Sequence, residues 1–165
     1  MDIQALIALL VGIAGILGAV LTVINFMAKR GYKARINECH MQYRDIVGRA
    51  LTDIQKAVPS KPFGTRGRVQ RFKSSDKYAA RLWNEKDHNH VVGVSIYSSK
   101  KRGTFPVWGS IGQWYEQRDG TAGRLGFPTS AEQIINDNPV TSVQHFEGGK
   151  ITCVAGDAPK IEYTR

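Results

Sequence analysis

Apolar residues run almost unbroken from Ile3 to Ala28, "IQALIALLVGIAGILGAVLTVINFMA", with no charge and only Gln4, Thr22 and Asn25 clearly polar. A helix needs about 20 such residues to cross a bilayer, so the pattern predicts a transmembrane helix over 1–28. A cleaved signal peptide would want a basic start and a small-x-small cleavage site. This segment starts Met-Asp-Ile-Gln and ends "FMAKRG", which predicts an uncleaved anchor. Small residues recur four apart, as in Ala8/Gly12, Ala14/Gly18 and Gly15/Ala19. That spacing lets helix backbones approach closely and predicts a homo-oligomer through the membrane helix, although glycine is also simply common in membrane helices.

The period then changes. Ile36, His40, Tyr43, Val47, Ala50, Ile54 and Ala57 are spaced alternately by four and three, the stripe of one amphipathic helix, and Pro59 ends it. A basic connecting helix over 29–60 is expected. It would serve as an oligomerising stalk, or pack on its own domain, or lie on lipid headgroups.

After residue 64, short β-prone runs alternate with turn residues: "RVQRF", "YAARLW", "HVVGVSIYS", "TFPVW", "TSVQHFE" and "KITCV". Between them, "SIGQWYEQRDG" reads as a short helix with Ser110 as N-cap, one face of Ile111, Trp114 and Tyr115, and Asp119-Gly120 as its stop. The fold class expected is α+β: the transmembrane helix, the amphipathic connecting helix, and a small β-hairpin-rich domain over 61–165 with one short helix.

Charge sharpens the membrane reading. The chain carries +9 overall, and residues 29–72 hold 11 Lys/Arg against 3 acidic residues, while residues 73–165 hold 12 against 10. The excess follows the apolar run directly, which points to a bilayer surface rather than to nucleic acid. Lys29, Arg30, Lys33 and Arg35 crowd that flank as candidate headgroup contacts. By the positive-inside bias they favour a cytoplasmic location for the rest of the chain. Cys39 and Cys153 lie far apart and form no metal-binding or redox spacing, so free thiols are expected, or a disulfide in an oxidising compartment.

"RVQRF" at 68–72 and "SVQHF" at 142–146 repeat one another, and the second runs into "EGGKITC", where Gly148-Gly149 suits a hairpin turn. Four blocks accompany them: Phe146-x-Gly148-Gly149-x-Ile151, Gly93-x-x-Ile96-Tyr97-x-Ser99, Trp108-Gly109-x-Ile111-x-x-Trp114, and Gly123-x-Leu125-Gly126-Phe127-Pro128-Thr129-Ser130-x-Glu132. In order and spacing these resemble the LGFP repeat, a unit of roughly fifty residues found in tandem in actinobacterial cell-envelope proteins. The resemblance covers about residues 66–154, as one whole unit with partial flanking ones. It implies a wall-associated, non-enzymatic binding module, an extracytoplasmic address and cell-wall glycan as partner. Physically, Gly123 and Gly126 can take positive φ, Pro128 holds Phe127 extended, Leu125 and Phe127 can plug a core beside Trp114, and Thr129 and Ser130 can cap the following turn.

Chemistry is sparse. No nucleophile elbow or phosphate loop is present, and the acidic residues form no pair that could be placed across a cleft, so neither a catalytic role nor a cofactor is expected. "DHNHVV" at 87–92 reads as a polar hairpin tip, with a metal site of His88, His90 and His145 as the sharper alternative. The candidate ligand surface is the basic turn Lys100, Lys101 and Arg102 with Tyr97, Trp108 and Tyr115. Trp83 and Trp114 are further aromatics on which a sugar ring could stack. The leading expectation is a membrane-anchored binding or scaffolding module. The competing one is a small holin-like effector whose cytoplasmic domain controls assembly of the membrane helices.

Overall fold

The computed structural model describes residues 31–78 and 93–164. The expected membrane span over 1–28, with Lys29, Arg30, Trp83, His88 and His90, lies outside the described residues. Among those residues no helix is long and apolar enough to cross a membrane. The chain divides into two compact units, Met1–Ala34 and Arg35–Arg165. Of the first, only 31–34 are described, in helical conformation.

The second unit is mainly β, which corrects the α+β expectation. Helical conformation over 31–42 supplies α1, followed by β1 (Val47–Ala50), β2 (Gln55–Lys56), β3 (Gly67–Ser74), β4 (Gly93–Ser99), β5 (Gly103–Val107), α2 (Gly109–Glu116), a 3-10 turn at Gly120–Ala122, β6 (Gln133–Asp137), β7 (Val140–Phe146), β8 (Gly149–Val154) and β9 (Lys160–Tyr163). The first sheet runs β1-β3-β4-β5 with β2 also on β3, the second runs β6-β7-β8-β9, and every pairing is antiparallel.

The connecting helix is the largest departure. The predicted stripe does not form one face: its positions fall on α1, a turn, β1 and the loops after it, and Ala50 is exposed. Ile36 and Cys39 on α1 are buried, and His40 packs on Phe72 with ring centroids 4.8 Å apart. Beyond residue 42 the chain turns, and Val47 enters β1 as a buried strand residue. Gly48 suits the strand that follows the turn. It is a poor helix residue, and a Cβ there would lie 2.7 Å from the Ser74 carbonyl oxygen, so only glycine permits this approach of β1 to β3. Ala57 then belongs to a different core from Ile36. From Arg35 on, the segment belongs to the second unit, as a helix end and two strands in place of the one helix expected.

Alternation along β3 and β4 sends side chains to two cores. Phe72, Val94 and Ile96 join Ile36, Cys39, Val47 and Trp108 in one. Tyr97, Val107, Ile111, Tyr115, Leu125, Phe127, Phe146 and Ile151 make the other, with Val69 packed against it. The first sheet is therefore covered by α1 on one face and by α2 and the second sheet on the other, the layered solution for a sheet apolar on both sides.

The sequence repeat is also a repeat of register. On β3, Gln70 faces Ile96 and Val69 faces Tyr97; on β7, Gln144 faces Ile151 and Val143 faces Thr152. The strand before each copy follows suit, with Gln55 opposite Val69 and Gln133 opposite Val143. The two V-Q-x-F segments thus hold equivalent positions in two similar meanders.

Both cysteines are free. Burial, aided by the Glu38 carboxylate, pushes the Cys39 thiol from 9.0 up to about 12. The unfolded chain therefore loses this proton near pH 9 while the folded chain keeps it, so the stabilisation is complete below pH 9 and is lost as pH rises toward 12. Burial raises the Tyr97 and Tyr115 hydroxyls too, with the same sign starting one unit higher. Unfolding free energies from urea titrations should fall between pH 8 and pH 10.5, by up to roughly 1.4 kcal/mol per pH unit for each group. Burial also raises the Cys153 thiol, from 9.0 to about 11, so Cys39→Ala should remove only part of the fall that starts near pH 9 and Cys153→Ala a further part; an unchanged pH profile in the Cys39 variant would show that its thiol is not held neutral.

Candidate functional site

The Gly-Phe-Pro segment closes the second core. Trp108, extended, precedes α2, and Gly109 enters it at φ 59°. Ser110 therefore sits within the helix instead of capping it. Ile111 and Tyr115 point inward, at 1% and 0% exposure. The helix ends at Glu116, and Asp119 and Gly120, both left-handed, reverse the chain as expected.

The loop then folds onto the β7–β8 hairpin. The Gly148 N–H donates to the Leu125 carbonyl at 2.9 Å, the Glu147 N–H to the Phe127 carbonyl at 3.0 Å, and the Thr129 N–H to the His145 carbonyl at 2.9 Å. Tyr115 Oη donates to the Gly126 carbonyl at 2.6 Å, which ties α2 to the same turn. Gly126 lies at φ 67°, and a Cβ on it would fall 2.6 Å from Glu147 Oε2 and 2.8 Å from Phe63 Cδ2. Both the backbone angle and the space demand glycine there. Gly148 answers a close approach as well, since its Cβ would meet the Arg124 carbonyl oxygen at 2.1 Å. Ser130 does not cap its own turn: its Oγ accepts from the His145 N–H at 3.0 Å and donates to the Ala131 carbonyl.

At the centre is Glu147, which the sequence reading did not single out. Its side chain is 0% exposed and pairs with Arg102 Nε at 2.7 Å. The same carboxylate accepts from Thr65 Oγ1 and, at 2.9 Å, from the Phe127 N–H. One buried anion thus joins the loop before β3, the β4–β5 turn, the Gly-Phe-Pro loop and the β7–β8 hairpin. The only sequence signal is an acid beside two glycines, too common to mark a hub. Glu132, just before β6, is also partly buried, which raises its carboxyl above the ordinary range against a hydrogen bond from Ser142.

The proposed ligand surface does not survive as a unit. Tyr97, Trp108 and Tyr115 are core residues, at 5%, 7% and 0% exposure, and no ligand can stack on their rings. Tyr97 Oη instead donates to Glu116 Oε1, and Tyr43 packs against Trp108. Arg102 is committed to Glu147. Lys100 and Lys101 alone keep the predicted exposed position, on the β4–β5 turn. Of the candidate headgroup contacts that are described, Lys33 is exposed, whereas Arg35 Nη1 donates to the Ser99 carbonyl at 3.4 Å at the end of β4. Trp114 was expected to pack beside Leu125 and Phe127. It lies outside both cores, half-exposed, with the Arg118 guanidinium 4.0 Å from its ring centre. His145 is exposed, and among the described residues no three His, Cys, Asp or Glu side chains converge.

No protein-family description matches the chain, and a search of curated proteins returns no similar sequence.

Proposed function

We propose that the protein is a non-enzymatic binding and scaffolding module of the LGFP type, held at a bilayer by its apolar N-terminal segment and directed at cell-envelope glycan. The observation that carries this reading is the position of Trp114. A large aromatic in the middle of the motif is left outside the cores, with a guanidinium stacked on it, while the other motif residues on α2 and the loop are spent on rigidity. The Arg118 guanidinium covers one face of the ring, so a sugar ring would take the opposite face or displace it, with the cation at hand for an adjoining acidic group. The doubled V-Q-x-F meander supports the same reading, as the architecture expected of a repeat unit.

The test is co-sedimentation of the Arg35–Arg165 unit with isolated cell wall. Trp114→Ala should weaken binding about tenfold or more, the usual loss for an aromatic anchor, with an unchanged melting temperature. Wall binding that is absent, or indifferent to this change, would remove the glycan assignment. The reading also requires the domain to face outward. A cysteine at Lys101, on the exposed turn, should be labelled by a membrane-impermeant maleimide in intact cells; protection there would favour the cytoplasmic side that the flanking cations suggest.

A further inference from the structure

We infer that the β6 edge of the second sheet is a self-association surface, pairing antiparallel with β6 of a second copy of this chain. A sheet edge presents unpaired backbone donors and acceptors, and proteins that stay monomeric guard it with lysine, proline or charge. Three edges here are guarded. Arg49 and Lys56 lie on β1 and β2, Pro106 interrupts β5, and β9 carries Lys160 and Glu162. The fourth edge, β6, reads Gln-Ile-Ile-Asn-Asp, is exposed along its whole length and contains no cation; its one charge, Asp137, stands at its last position and leaves Gln133 to Asn136 neutral.

The internal repeat makes the contrast specific. Lys56 pairs with Arg68 on β3, and Ile134 pairs with Ser142 at the equivalent place on β7. Where one copy has the guarding lysine, the other has isoleucine. Ile134 and Ile135 are 66% and 60% exposed, and Val140 across the hairpin is 48% exposed. A bulge at Ile135 interrupts pairing toward β7; a bulge twists an edge and works against pairing, which keeps any association here weak.

Charge selects the occupant. Two copies of β6 related by a twofold axis through Ile135 set Ile134 against Asn136 and Gln133 against Asp137. No like charges meet, and the Gln133 amide can donate to the Asp137 carboxylate. This is the closed, isologous arrangement, and it joins two four-stranded sheets edge to edge. Two five-residue strands bury less than the roughly 1,200 Å² of a stable free-standing interface. The pairing is therefore weak and forms where copies are concentrated.

The experiment uses the full chain in the membranes of the expressing cells, in a Cys153→Ala background that leaves only Cys39, 4% exposed, with one further cysteine introduced in turn at Gln133, Ile134, Ile135, Asn136 and Asp137 and the parent without it as the blank. Mild oxidation should give a dimer that peaks at position 135 and declines toward both ends, since residues facing across antiparallel strands lie within disulfide reach. A cysteine at Leu51, an apolar residue 53% exposed elsewhere, should not cross-link. Adding Ile134→Lys or Asn136→Lys should reduce the position-135 dimer at least tenfold while leaving the melting temperature unchanged. The inference is overturned by a flat profile, by equal cross-linking at position 51, by persistence of the dimer in both lysine variants, or by capture of a different protein at position 135.

Discussion

Replacing Phe127 by alanine is expected to destabilise the domain by about 3–5 kcal/mol, the usual cost of emptying a buried phenylalanine site. The ring is 1% exposed, and the edge of Tyr97 meets it at a centroid distance of 6.5 Å. It also lies over the backbone of Gly67, where a Cβ would stand 2.6 Å from Phe127 Cε1. The cavity cannot collapse readily, because Tyr115, Leu125 and Phe146 around it are held by other contacts. Urea denaturation measures the loss, and a value under about 1 kcal/mol would mean that the loop does not plug the core. A second change tests the packing further. Gly67→Ala should be destabilising even in the Phe127→Ala background, since the added Cβ would still lie 2.4 Å from the Ser98 carbonyl oxygen.

Glu147→Ala should cost about 2–4 kcal/mol and lower the melting temperature by roughly 10 °C. Removing the carboxylate leaves the Phe127 N–H and the Thr65 hydroxyl without their partner and strands the Arg102 guanidinium. Arg102 is 35% exposed and can turn partly to water, which keeps the loss below that of breaking a fully buried pair. Glu147→Gln separates the contributions: an amide oxygen can still accept from Phe127 N–H, so about half the loss should return. Equal loss in the two variants would assign the whole effect to charge, and no loss in either would deny Glu147 its joining role.

The strands that were legible in the sequence are those whose neighbours in the chain are also their neighbours in space. The second half of "HVVGVSIYS", "TFPVW", "TSVQHFE" and "KITCV" became β4, β5, β7 and β8, successive members of hairpins with glycine at the turns. The repeat was legible for the same reason, since matching register, with an isoleucine opposite each glutamine, imposes the same alternation on both copies. The strands that were missed are edges. β1 and β2 hid in a helical stripe, and β6 and β9 are exposed at most positions, so their apolar residues made no alternating pattern. For the candidate site, the motif located the loop and its glycines, but it gave no sign of which aromatics face inward. Tyr115 and Trp114 are adjacent on α2, and the sequence treats them alike.

Sequence alone determined parts of the local backbone: an apolar run followed by cations, a short helix with a reversal at Asp119-Gly120 after it, and the V-Q-x-F repeat with its Gly148-Gly149 turn; of the two glycines given left-handed freedom, Gly126 uses it and Gly123, at φ −73°, does not. These follow from side-chain period and steric rules acting over a few residues. Tertiary structure decided everything that depends on residues distant in the chain. It broke the connecting helix, because β1 gains backbone pairing to β3 that a helix would forgo. It buried Tyr97, Trp108 and Tyr115 and left Trp114 outside, because the second sheet covers one side of α2 and not the other. It also made a hub of Glu147, because a carboxylate is worth burying only where donors from Thr65, Arg102 and Phe127 converge on it.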